Sequence, residues 1–220
     1  PNDKTPFIAN PQMRLLHDKY SECRFTRWFS SKNSMVEPTC ELFSIWLNKG
    51  MEVKNLRMDG SGENFLLEQR LKSEAWKLYP EIEYTARNTP QQNSLAETGI
   101  FVIANRARAL CARGHVPKIY RYRMFPLAFD TATMLDWLLC ITRNGVSKPK
   151  IMFFSGKLPR FVNYLRTFGE AGVVTIKGMM HPKPYDRGIT CVFAGYCPNR
   201  EGDCYKMYDL LITIYICLTM

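Results

Sequence analysis

The chain has 220 residues, 46% of them hydrophobic and 13% aromatic, which excludes disorder and suits one large domain or a medium domain with a small one. A formal charge of +10 and a pI near 9.3 call for a polyanionic partner, nucleic acid before an anionic membrane surface. The longest apolar run, Leu210 to Leu218, falls short of the ~20 residues a bilayer-crossing helix needs and reads as a strand.

No signal peptide precedes Pro1, and a chain opening on proline without methionine reads as a fragment. Residues 1–11, rich in Pro and Asn, read as a loop. Gln12 to Asp18 and Glu22 to Phe29 then read as the two strands of a hairpin. Glu37 to Asn48 sets Leu42, Phe43, Ile45, Trp46 and Leu47 at helical spacing, with Gly50 just past the end. Val53 to Met58 is a short strand that delivers Asp59. Asn64 to Leu78 predicts a helix with Leu67, Leu71, Ala75 and Leu78 on its face, stopped by Pro80. Ile82 to Thr85 is a further strand, and Leu95 to Cys111 a long helix with Ile100, Ile103, Ala104, Ala107, Leu110 and Cys111 on its apolar side. Strands alternating with helices make this part α/β.

From Thr98 to Phe129 there is no acidic residue, while Arg106, Arg108, Arg113, Lys118, Arg121 and Arg123 supply six positive charges with Tyr120 and Tyr122 between them. Scattered charge usually marks a solvated face. A run this long without a counter-charge favours contact with phosphates. Leu127 to Leu139 is another apolar helix, with a turn at Asn144-Gly145 behind it. Residues 145–163, rich in Pro, Lys and Gly, read as a linker between 1–144 and 164–220. Beyond it the period changes: Thr167 to Ile176, Thr190 to Tyr196, Tyr205 to Leu210 and Thr213 to Leu218 are short strands, which suggests a small barrel or sandwich.

Eight cysteines are scattered without a C-x-x-C, and with only three histidines no zinc spacing emerges. Cys191, Cys197 and Cys204 lie close in sequence but fit small buried hydrophobes in strands, with reduced thiols inside the cell as the default.

Two acids stand out. Asp59 ends a strand and is followed by Gly60 and Gly62. Glu97 lies in the first turn of a helix announced by Pro90 and capped by Ser94, with 37 residues between the two acids. Carboxylates so placed can converge on one divalent cation, since Mg²⁺ is commonly held by one or two carboxylates plus water. The same residues also fit an ordinary Asp-Gly turn and a capping box in which Glu97 bonds back to Ser94.

The wider residues resemble a known family. Arg57-Met58-Asp59-Gly60-Ser61-Gly62-Glu63 and Thr89-Pro90-Gln91-Gln92-Asn93-Ser94-Leu95-Ala96-Glu97 are similar to the R-x-D-N-G-G-E-F and T-P-Q-Q-N-G-x-A-E-R motifs of the copia-type retrotransposon integrase core. Asp18-x-Tyr20-Ser21 with Arg24-Phe25-Thr26, Trp28-Phe29 and Lys32 resembles its D-D-Y-S-R-F-T-W stretch. Tyr164 to Gly169 resembles H-L-R-V-F-G, and Cys191 to Tyr196 resembles C-V-F-L-G-Y.

The resemblance implies a ribonuclease-H-like mixed sheet flanked by helices over 1–144, its N-terminal strand truncated, followed over 164–220 by a small SH3-like barrel. It implies phosphoryl transfer joining element DNA ends to a target duplex, through two Mg²⁺ or Mn²⁺ ions. Asp59 and Glu97 take the second and third acidic positions, and Gln91, Gln92 and Asn93 approach DNA. The partners expected are DNA and a second copy of the chain, with no membrane, and the location is the nucleus for a working copy and otherwise intracellular. Asp18 belongs to a later stretch than the first catalytic aspartate, which falls ahead of residue 1. Gly60-Ser61 in place of Asn-Gly, Asn64 in place of an aromatic, Ser94 in place of Gly and Thr98 in place of Arg are the marks of an eroded copy. The competing expectations are a catalytically inactive nucleic-acid-binding remnant and a domesticated interaction module.

Overall fold

The computed structural model describes residues 12–85, 94–175, 188–197, 204–209 and 214–219. They form a mixed α/β protein with several small sheets, divided into two compact units. One comprises 12–17, 26–85 and 94–100; the other comprises 18–25 and the described residues from 101 onward.

Strand β1 (Gln12–His17) pairs with β2 (Arg24–Phe29), of which Thr26 onward belongs to the first unit, in a two-stranded sheet. Helix α1 (Val36–Asn48) buries Val36, Cys40 and Phe43 at intervals of four and three, and Trp46 stacks on Phe43 at 5.5 Å. Its end is a Schellman turn: Gly50, at φ +78°, donates to the Leu47 carbonyl and Met51 to that of Trp46. Next, β3 (Asn55–Asp59) leads into α2 (Gly62–Leu71), which returns the chain to β4 (Glu81–Thr85). The two strands run parallel and in register from Asn55↔Glu81 to Asp59↔Thr85.

Period-two alternation sends Leu56, Met58, Ile82 and Tyr84 to the core side, where Val36, Cys40, Phe43, Leu67 and Leu71 meet them. Burying each large aliphatic there contributes about 1.5–3 kcal/mol. Helix α2 stops seven residues before the predicted end. The Ser73 hydroxyl and amide both donate to the Arg70 carbonyl, and Lys77 takes a left-handed φ of 51°. The Leu78 amide donates to the Leu71 carbonyl, so Leu78 reaches the core without helical backbone. The apolar spacing that predicted helix over 73–78 is satisfied by turns.

Helix α3 (Ser94–Arg113) runs from the first unit into the second, where Ile103, Ala107 and Cys111 are its buried stripe. Helix α4 (Lys118–Asp136) begins nine residues before the predicted start, directly after Pro117, and keeps Pro126 inside. That proline lacks the amide that would bond the Tyr122 carbonyl. The buried face of Met124, Leu127, Ala128, Thr131 and Ala132 holds the helix continuous across it.

Strands β5 (Cys140–Arg143) and β6 (Val146–Pro149) form a hairpin closed by Asn144 and Gly145 at φ 50° and 76°, the two positive angles of a type I′ turn. The stretch read as a linker is therefore structured. After β6 it holds α5 (Lys150–Ser155) and a 3₁₀ turn (Arg160–Tyr164). Its aromatic residues explain why: Phe154 lies 4.7 Å from Phe25, and Phe161 stacks on Tyr196 at 4.8 Å. Pro, Lys and Gly are interleaved with apolar residues, and the apolar residues set its packing.

The last strands, β7 (Ala171–Thr175), β8 (Gly188–Tyr196), β9 (Cys204–Asp209) and β10 (Ile214–Thr219), form one antiparallel meander in the order β10-β9-β8-β7. The described residues make an open sheet, not the closed barrel expected. Phe193, Tyr196, Tyr205 and Met207 pack with Met134 and Phe161 in a single cluster. Two glycines of the resemblance motifs have clear structural jobs. Gly169, at φ +84°, crosses Gly114 so closely that a Cβ would lie 2.6 Å from the Gly114 carbonyl oxygen. At Gly195, φ +135°, a Cβ would lie 2.5 Å from Oγ1 of Thr131.

Candidate functional site

Asp59 is exposed at the last position of β3, opposite Thr85, the last residue of β4. The carboxyl ends of parallel strands are where open α/β sheets place ligands, because the loops that leave them fan outward. The Asp59 carboxylate is held from within. Oδ1 accepts from the Ser61 hydroxyl at 2.8 Å and from the Asn64 amide nitrogen at 2.5 Å, and the Asn64 amide also donates to the Asp59 carbonyl at 3.2 Å. Asn64 Oδ1 in turn accepts from Arg14 at 3.0 Å, and the other arm of Arg14 donates to the Thr39 hydroxyl at 3.0 Å.

Burial pulls the Arg14 guanidinium below its ordinary value, with Glu63, Cys40 and Asp59 pulling it back up. Burial also pushes Glu63 up, but a backbone hydrogen bond and Lys32 at 3.2 Å outweigh it and hold that carboxyl below its usual range. These neighbours of Asp59 were not predicted as site residues. Glu63 and Lys32 fall on the resemblance motifs, Ser61 and Asn64 depart from them, and Arg14 carries no sequence signal.

Glu97 is exposed in the first turn of α3. Ser94 is the first helical residue, so it stands inside the helix where a capping box needs it one step before. Gln91, Gln92 and Asn93 lie outside the described residues. Asp18 is a turn residue: its Oδ2 accepts from the Ser21 amide at 2.8 Å and hydroxyl at 2.5 Å.

Carboxylate oxygens suit a hard cation, and Mg²⁺ is usually hung from one or two of them with water filling the other positions. Among the described residues no group of three His, Cys, Asp or Glu side chains is placed to hold a metal. Cys191 and Cys204 are buried within strands β8 and β9, as expected of small hydrophobes.

The six basic residues divide. Arg108, Arg113, Lys118, Arg121 and Arg123 are exposed. Of these, Arg108 donates to Asn105 at 2.7 Å and Arg121 to the Val116 carbonyl at 3.1 Å, which fixes both stems over the surface. Burial pushes the Tyr208 phenol up, and Arg123 beside it pulls it partly back. Arg106 is different. It is ion-paired to Asp136, a fully buried carboxylate that also accepts from Arg24 and from buried Lys150, each at 3.0 Å. The counter-charge missing between Thr98 and Phe129 comes from Asp136, past that window, and it pairs with Arg106, whose side chain stays 41% exposed.

No family model matches the chain, and no curated protein does. Among solved structures, the chain is similar to one in the cryoEM structure of a simian T-cell lymphotropic virus intasome in complex with PP2A regulatory subunit B56 gamma. Identity is 12%, over 99% of this chain and 74% of that one, with a TM-score of 0.48.

Proposed function

We propose that this chain is a copia-type integrase core with a ribonuclease-H-like fold, which binds duplex DNA and positions Asp59 and Glu97 around one divalent cation. The carrying observation is topological. Parallel strands β3 and β4 end at the same level, Asp59 against Thr85, and Glu97 stands in the first turn of α3, the next element in chain order. When bound, a Mg²⁺ or Mn²⁺ ion supplies Lewis-acid stabilisation of a phosphoryl oxygen and a more acidic bound water. The chain's own residues do the rest. Asp59 and Glu97 furnish anionic oxygens, and the partial positive charge at the α3 N-terminus favours an anion nearby. Arg108, Arg113, Lys118, Arg121 and Arg123 offer cations to the DNA backbone.

A nucleic-acid-binding remnant without turnover is the second reading. It is favoured by the lack, among the described residues, of a three-ligand group that could frame two ions. A duplex binding assay with a parallel strand-nicking assay in Mg²⁺ and Mn²⁺ separates the two. DNA binding with metal-dependent nicking abolished by Asp59→Asn supports the core; binding without nicking supports the remnant; no binding removes both.

A further inference from the structure

We infer that Asn64 and Ser61, with Arg14 behind them, are positioning residues for the Asp59 carboxylate. The inference rests on the metal-binding reading above.

The relay has one consistent direction. Arg14 carries only donors, so the Asn64 atom facing it at 3.0 Å must be the carbonyl oxygen. That orientation turns the Asn64 amide nitrogen toward Asp59, where it reaches both the carboxylate and the backbone carbonyl. Arg14 is itself fixed by Thr39, whose hydroxyl donates to the Met35 carbonyl at 2.6 Å, so the chain of contacts is anchored in the first turn of α1. Ser61, from the β3–α2 connection, supplies the second donor to the same carboxylate oxygen.

An exposed aspartate at a strand end has free torsions. Two donors converging on Oδ1 select one rotamer and leave Oδ2 for a ligand. Hydrogen-bonded carboxylates of this kind make better metal ligands because the outer partners fix the orientation of the inner oxygen. Asn64 and Ser61, the two substitutions within the Asp59 motif that touch its carboxylate, thus form a coherent support.

The test is a Mn²⁺ titration followed by electron paramagnetic resonance on the whole 220-residue chain, comparing wild type with Asp59→Asn, Asn64→Leu and Ser61→Ala. Asp59→Asn is expected to abolish the specific Mn²⁺ signal and Asn64→Leu to weaken affinity by about 10- to 100-fold. Ser61→Ala, which removes one of two donors, is expected to give a smaller loss. Circular dichroism confirms that each variant is folded, and Ser61→Ala serves if Asn64→Leu does not fold. Loss on Asp59→Asn with unchanged or tighter binding in both support variants overturns the positioning role while leaving the metal site standing. Unchanged binding in Asp59→Asn overturns the metal reading itself, and the positioning role with it.

Discussion

Asp136→Asn is expected to destabilise the fold strongly. The Asp136 side chain has no exposed surface, and it faces Lys150 at 7% and Arg24 at 11% exposure, with Arg106 at 41%. The asparagine retains the shape and removes an anion that, among the described residues, pairs with three cations. Arg106 can rehydrate, but Lys150 and Arg24 are enclosed. Leaving buried charge uncompensated costs about 3–5 kcal/mol. For a chain of this size a loss of 1 kcal/mol lowers Tm by about 2–4 °C, so the expected drop is ~6–20 °C. Urea unfolding and calorimetry measure it. Arg106→Gln is the internal control: its half-exposed pair is screened by solvent and should contribute no more than ~1 kcal/mol. Asp136→Asn with stability within ~1 kcal/mol of wild type would refute the view that this carboxylate organises the second unit.

Gly169→Ala should destabilise by at least ~1–3 kcal/mol, because its Cβ meets the Gly114 backbone and its φ is left-handed; equilibrium denaturation of the variant checks this. Stability should also fall at alkaline pH. Burial pushes the Cys23 thiol from 9.0 up to about 12 and the Tyr84 phenol from 10.0 up to about 12, so both stay protonated in the fold after they would ionise in the unfolded chain. The Cys23 contribution is complete below about pH 9 and declines as pH rises toward about 12, by up to ~1.4 kcal/mol per pH unit, while that of Tyr84 declines only above about pH 10; urea midpoints at pH 8 and pH 10 measure the Cys23 decline. If all five exposed basic residues contact phosphates, log K for a duplex should fall against log[salt] with a slope of about −4.5. Arg106→Gln should leave that slope unchanged, and a flat response in wild type would remove DNA from the reading.

Much of the first unit was legible in the sequence because its elements obey local rules. The Val53 to Met58 run, the Asp-Gly turn and the Gly50 stop all correspond to observed elements, shifted by a residue or two. Helix α2 was overrun because Ala75 and Leu78 keep an apolar period that turn hydrogen bonds can also satisfy. The beginning of α4 was hidden under charge: Lys118, Arg121 and Arg123 read as surface, yet Met124 on the same helix is fully buried. Long-range pairing was not legible at all. Nothing local ties Arg106 to Asp136, 30 residues on, or Arg14 to Asn64, 50 residues on, and both contacts change what a candidate site residue does. The open C-terminal sheet is likewise a matter of which edges pair, and strand patterns alone do not specify that.

Asp59 and Glu97 are proposed to share one cation. Mn²⁺ stoichiometry by equilibrium dialysis, on wild type and on the Asp59→Asn and Glu97→Gln variants, tests it most directly. Glu97→Gln preserves size and helix propensity while removing the charge, so a helix-end role would leave Mn²⁺ binding intact. The account predicts one specific ion per chain in wild type and its loss in each single variant. One ion retained in Glu97→Gln, or binding unaffected by either substitution, would contradict it.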